Sequence, residues 1–255
     1  MEFGIIILLG VIIFFAMGLE GITGFGGTVL ALPFLSMLLP VKTAVCIVPL
    51  MSVCWGLIVI AQSWRLIAWR QLLTILIFAA LGIPLGIWGL NILPEAALKC
   101  VLGAFVILAA IKGFYTSRHP ASEPDAQSSP LRKAVTCLIL TLGGVFQGAF
   151  ACGGPLFVIY VSREIRDKSA FRVTLSCVWV ICNIAIFIRN LAVGGVYPTG
   201  FWGLWLCLVP FFLCGALLGN VLHKRVNIEV FTLLTNIILL LAGVSALVGA
   251  IGGMI

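Results

Sequence analysis

Apolar residues in this chain run in blocks of about 20, with no amphipathic period, and short polar breaks separate the blocks. A helix needs about 20 such residues to cross a hydrocarbon core of about 30 Å. The segments 44–62, 70–90, 95–115, 173–190, 201–222 and 228–252 meet that length and predict spanning helices. Two further stretches, 3–39 and 134–162, do not fit the pattern. As one helix the first would extend roughly 55 Å, far beyond the core. A glycine cluster interrupts each of them, GITGFGG at 21–27 and GAFACGG at 148–154. Each break predicts either a tilted broken helix or a hairpin that re-enters the membrane, and the apolar pattern alone leaves both open.

Charge selects among topologies. Basic residues cluster at Arg65/Arg70, from Lys112 to Lys133, at Arg163/Arg166/Lys168/Arg172 and at Lys224/Arg225, whereas 190–200 and 250–255 carry none. Cytoplasmic loops of membrane proteins are enriched in Lys and Arg. Placing all four clusters there requires 134–162 to leave and return on the cytoplasmic side, and 3–39 to leave and return on the outer side. Lys42 then falls in an outer loop as a mild violation, and Arg189 sits near an outer helix end where it can snorkel.

The two halves also resemble each other. GITGFGGT (21–28) aligns with GAFACGGP (148–155), Ser52-Val-Cys-Trp55 with Ser176-Cys-Val-Trp179, and the Gly82/Gly86 pair with Gly215/Gly219. Glu95 and Glu229 open the last helix of each half. The expected fold is therefore an all-α polytopic membrane protein of two inverted repeats, each a broken glycine-rich hairpin plus three transmembrane helices, a recurring transporter design. Its parts are an N-terminal membrane repeat (1–115), a polar, proline-rich cytoplasmic linker (116–131) and a C-terminal membrane repeat (132–255).

Composition agrees: 62% of the 255 residues are hydrophobic and 9% charged, against about 25% charged in soluble domains. The net charge of +7 resides in loops between apolar blocks, so it reports topology rather than nucleic-acid binding. The Met-Glu-Phe-Gly start has no basic n-region, which predicts that the first apolar block is retained. The nine cysteines all lie in apolar blocks without a CxxC pair, and the two histidines, His119 and His223, lie in loops. No metal site, disulfide or cofactor is expected. An intramembrane enzyme would need a Ser–His pair, an HExxH or facing aspartates, and a nucleotide-driven pump a Walker A sequence; the chain has none of these. The expected partners are a small anion and the lipid bilayer, with a homodimer left open.

Non-helical backbone at membrane depth must be buried in protein or line a polar cavity. Two glycine clusters at equivalent places thus mark a candidate centre, with new helices expected near Thr28 and Pro155. Helix N-termini offer free N–H groups and about half a positive charge. Backbone without side chains lets an anion approach them, although glycines there can equally serve close helix packing. The candidate substrate-binding residues from the clusters are Thr23, Gly26, Gly27, Thr28, Gln147, Cys152, Gly153 and Gly154. Arg172, Ser176, Trp179, Asn183 and Asn190 fall in one narrow wedge of the 173–190 helix at about 100° per residue, and the first four join that set. Ser52, Trp55 and Ser63 form a weaker version on the partner helix. Glu20, whose repeat counterpart is Gln147, is the only carboxylate inside an apolar stretch. It either carries a coupling proton or caps backbone at the break.

With GITGFGG and Pro33 downstream of it, GAFACGGP, the repeated halves and Phe171-Arg172 in view, the whole chain resembles the TauE/SafE family of bacterial sulfite and organosulfonate exporters. In that family a small residue usually stands where this chain has Cys152. The resemblance implies an inner-membrane permease, not an enzyme, that exports sulfite, sulfoacetate or a related sulfur oxyanion. A proton-coupled importer of another small anion is the alternative.

Overall fold

The computed structural model describes residues 3–118, 130–194, 196–222 and 228–252. Most of the expected linker lies outside the described residues, as do His119, His223 and Lys224/Arg225. The described chain is all α-helix apart from turns: α1 (Phe3–Thr23), α2 (Gly27–Leu38), α3 (Val41–Ser63), α4 (Trp69–Ile92), α5 (Glu95–Arg118), α6 (Pro130–Phe150), α7 (Gly154–Glu164), α8 (Lys168–Val193), α9 (Phe201–Leu222) and α10 (Ile228–Gly252). Every span expected from the apolar blocks is a helix. Seven helices among the described residues are long and apolar enough to cross a membrane, α1 and the 133–150 part of α6 included. On α4, Leu73, Ile77, Leu81, Leu85 and Trp88 form an exposed stripe of large apolar residues, one turn apart. Water does not tolerate such a stripe, and lipid does.

The helices start and stop for local reasons. Asp167 caps α8, its Oδ2 accepting from the Ala170 N–H at 2.7 Å. The first N–H of α3, on Val41, is satisfied from outside its own helix by Glu95 Oε1 at 2.8 Å. Prolines 33, 49, 84 and 210 lie inside helices, as membrane helices with packed neighbours allow.

The question left open at the two glycine clusters resolves to hairpins. A Cβ on Gly27 would strike Ala16 O and the Glu20 side chain, and one on Gly153 would strike Gly143 O and the Phe157 ring. The second helix of each pair therefore folds back along the first. Gly24 and Gly26 make the first reversal at φ +80° and +90°. The second uses Ala151 at φ +52°, a conformation that costs a non-glycine residue about 1–2 kcal/mol.

Helix pairing follows one scheme. α1 packs along α9, α4 along α6, α5 along α10, and α3 against α8. Exchanging the halves maps this set of pairs onto itself. α1 runs parallel to α9, with Gly10 against Phe211, Phe14 against Gly215 and Gly18 against Gly219. α6 runs parallel to α4, with Ala79 against Gly144, Ile83 against Gly148 and Gly86 against Ala149. α3 and α8 are antiparallel: the Ala68 N–H just beyond α3 donates to Thr174 Oγ1 near the start of α8 at 3.0 Å. At the opposite end, Lys42 and Cys46 share a cavity wall with Asn190 and Val193. Since α4 and α9 each reverse the helix before them, α1 and α6 enter the bundle in opposite directions. Gly82, Gly86, Gly215 and Gly219 are the contact points, where any side chain would hit the facing backbone.

Candidate functional site

The two hairpin tips meet beside the middle of α3 and α8. Ser52, halfway along α3, donates its hydroxyl to Glu20 Oε2 at 3.0 Å, and both residues are buried. Asn183, just past halfway along α8, accepts at Oδ1 from Gln147 Nε2 at 2.7 Å, also buried. Glu20 and Gln147, equivalent in the sequence repeat, thus tie each hairpin to one of the central antiparallel helices. Gln147 also folds onto its own break, its Oε1 accepting from the Gly153 N–H at 3.1 Å. Trp179 joins the halves, because its Nε1 donates to the carbonyl of Gly24 at 3.1 Å.

Between the tips lies a small space of about 20 Å³, walled by Glu20, Gly26, Thr28, Ser52, Ala151, Gly154, Trp179 and Asn183. That volume suits about one water molecule. Two helix N-termini, those of α2 and α7, open on it, and among the described residues the N–H groups of Thr28 and Gly154 have no hydrogen-bond partner. At Gly154 an added Cβ would meet only Trp179, at 3.6 Å, so the room beside this backbone is real. Gly26 has similar room, with Leu19 at 3.5 Å, but its φ of +90° itself demands glycine.

Of the residues expected at the site, Gly26, Thr28, Gly154, Trp179, Asn183 and Glu20 come together at this space, and Gln147 stands one step outward. The others are close by in different settings. Thr23 staples the first reversal, its one hydroxyl proton lying within reach of both Leu19 O at 2.9 Å and Phe25 O at 2.6 Å. Gly27 packs on Glu20, Gly153 on Gly143 and Phe157, and Cys152 is enclosed in the core. Ser176 is buried where its carbonyl passes Gly56. Arg172 packs against Gly24 at the first tip, donating from Nη2 to Asn220 Oδ1 at 2.9 Å with its guanidinium over the Trp55 ring. Trp55 is itself buried with an unpartnered Nε1, and Arg172 keeps an unpartnered Nε.

A second space escaped the sequence reading. A vestibule of about 360 Å³ leads from Gln147, Asn183 and Ala151 at the tips to Lys42, Arg189 and Asn190 at the ends of α3 and α8. Lys42 and Arg189 therefore line one cavity. Their signal in the sequence was present as two basic residues on the side where the loop-charge rule disfavours them.

Among the described residues the chain is a strandless helical bundle in which two hairpins meet at a small polar centre, an architecture that suits a membrane transporter. The family model described as "Sulfite exporter TauE/SafE" matches residues 9–246, and the chain belongs to that family. A similar protein is the "Probable inner membrane transporter protein TsaS" of Comamonas testosteroni, 25% identical over 184 residues, covering 72% of this chain and 74% of that protein. No solved structure matches the chain.

Proposed function

We propose that this multi-pass protein resides in the cell inner membrane and exports a small sulfur-containing anion, sulfite or an organosulfonate such as sulfoacetate, through the centre formed by the two hairpin tips. The observation that carries this reading is the convergence of the α2 and α7 N-termini on one space, which Thr28 and Gly154 both line with N–H groups that have no hydrogen-bond partner among the described residues. Helix N-termini attract anions by their dipoles and their free donors. The Asn183 amide adds a neutral donor, and the oxygens of a sulfite or sulfonate group accept from such donors, while the Trp179 ring walls the space. Sulfite has four heavy atoms and does not fit a space suited to one water, so the tips part during transport.

The halves act as two inverted repeats, 1–115 and 132–255, with the central polar contacts divided between them. The self-mapping helix pairs and the opposed entry of α1 and α6 support this assignment. Substrate then reaches the centre alternately from the vestibule bearing Lys42 and Arg189 and from the side bearing Arg172. A second reading, proton-coupled import, draws on the place of Glu20 in the wall of the central space, with the Ser52 hydroxyl as its one hydrogen-bond donor among the described residues.

Purified chain in liposomes tests the proposal. Efflux of sulfite or sulfoacetate above protein-free vesicles is the expected result, with uncharged analogues of the same size excluded. Flux of neutral and anionic solutes at the same rate would overturn it.

A further inference from the structure

We propose that Lys42 and Arg189 form a second, outer anion-binding site in the vestibule, one step beyond the hairpin tips. This rests on reading the protein as an anion carrier and adds a site to that reading. Lys42 is the second residue of α3 and Arg189 lies one turn from the end of α8. The antiparallel packing of these helices brings the two cations into the lining of one vestibule. Among the described residues, neither forms an ion pair. The ion pair present among them is Lys99 with Glu95 at 3.8 Å, and Glu95 also caps Val41. Lys42 Nζ reaches only the Asn91 carbonyl at 3.5 Å, and Arg189 Nη1 only Asn190 Oδ1 at 3.1 Å. Among the described residues that line the vestibule, none is a carboxylate.

Two cations with neutral amide partners, in a concave space beside low-dielectric walls, concentrate anions. Arg189 offers a planar fork suited to an oxyanion, and Lys42 a mobile point charge. Asn183 and Gln147 form the floor, so an anion held here is adjacent to the central space.

The sequence repeat argues that the pair is built rather than accidental. The offset of 124 residues that relates Ser52 to Ser176 also relates Lys42 to Arg166 and Arg65 to Arg189. A basic residue thus stands near both ends of each central helix, in mirrored order.

For an exporter, such a site receives the anion leaving the centre and also binds anions from outside, which occupy the exit. The test uses Val193→Cys, which lines the vestibule one turn beyond Arg189, in a chain whose native cysteines are replaced. Labelling is followed from outside intact cells with an anionic methanethiosulfonate (ethylsulfonate) and its cationic trimethylammonium counterpart. A unit charge near the thiol speeds one reagent and slows the other by about threefold each, so each cation changes the rate ratio by about tenfold. The anionic reagent is expected to be favoured in the parent. Lys42→Gln with Arg189→Gln should lower the ratio by about a hundredfold, and Lys42→Arg with Arg189→Lys should restore it. External inorganic sulfate should slow anionic labelling in the parent and not in the double glutamine variant. Labelling of that variant by the cationic reagent shows that it is inserted.

An unchanged ratio in the double variant, sulfate protection that persists there, or no labelling of the parent would each overturn the outer site. Sulfite flux is measured separately. Absence of flux with the labelling pattern intact would count against the transport reading and leave the site standing.

Discussion

Replacing Gly154 with alanine separates a binding glycine from a packing glycine. Its Cβ would project toward the central space and meet nothing nearer than Trp179 Cη2 at 3.6 Å, an ordinary contact. Alanine is favoured over glycine in a helix by up to about 1 kcal/mol. Gly154→Ala should therefore leave unfolding free energy unchanged or raise it by about 1 kcal/mol. Function should respond in the opposite sense. The methyl group fills a space of about 20 Å³ and covers the N–H of Gly154. Losing one hydrogen bond to a charged partner costs about 1.5–3 kcal/mol, which is about ten- to hundredfold in affinity. Thermal unfolding in detergent and sulfite flux in proteoliposomes read the two effects independently. Gly153→Ala is the contrasting control, because its Cβ would come within 2.5 Å of Gly143 O and 2.9 Å of the Phe157 ring, and it should lose stability first. Normal flux in Gly154→Ala, and again in Gly154→Val, would refute the placement of the site between the hairpin tips.

Other variants probe the surrounding framework. Gly219→Leu should disrupt the α1–α9 contact at Gly18 and lower the amount of inserted protein, measured by fluorescence size exclusion, since its Cβ has no room against that backbone. Asn183→Ala leaves the buried Gln147 amide without its acceptor and should destabilise the protein by about 1–3 kcal/mol in a detergent melt, besides weakening anion binding. Arg172→Ala should reduce anion binding more than Asn183→Ala does in a direct titration, because hydrogen bonds to ionised groups are about twice as strong. Trp179→Phe removes the donor to Gly24 and should cost about 1 kcal/mol in the same melt, with Tyr not substituting for the indole geometry.

The spans and breaks were legible in the sequence because lipid imposes one simple demand, a long apolar run for each crossing helix. The ends of α4, α5, α9 and α10 fall within a few residues of the apolar blocks. Gly82, Gly86, Gly215 and Gly219 could be read as packing positions from their spacing, and the structure places them against backbone. The form of the breaks was not legible, since a tilted helix and a hairpin share the same apolar pattern and differ only in tertiary contacts such as Gly27 on Ala16. The wedge on α8 identified Asn183 and Trp179 but not their partners, which lie 36 and 155 residues away in the chain. Lys42 and Arg189 were hidden for the same reason. Each looked like an isolated loop or interface charge until the antiparallel packing of α3 and α8 put them around one cavity.

The measurement that bears most directly on electrogenic export through this centre is sulfite flux in proteoliposomes held at a set potassium-diffusion potential, in the parent chain and in Glu20→Gln. A monoanion leaving a negative interior gains about 2.3 kcal/mol per 100 mV, equivalent to a concentration ratio of about 50. Efflux should therefore rise with inside-negative potential and ignore an imposed pH gradient. Glu20→Gln should keep substantial activity, because Gln147 already fills the equivalent place in the other half. Flux that ignores the potential, follows the pH gradient and disappears in Glu20→Gln would contradict uncoupled export and identify a proton-coupled carrier.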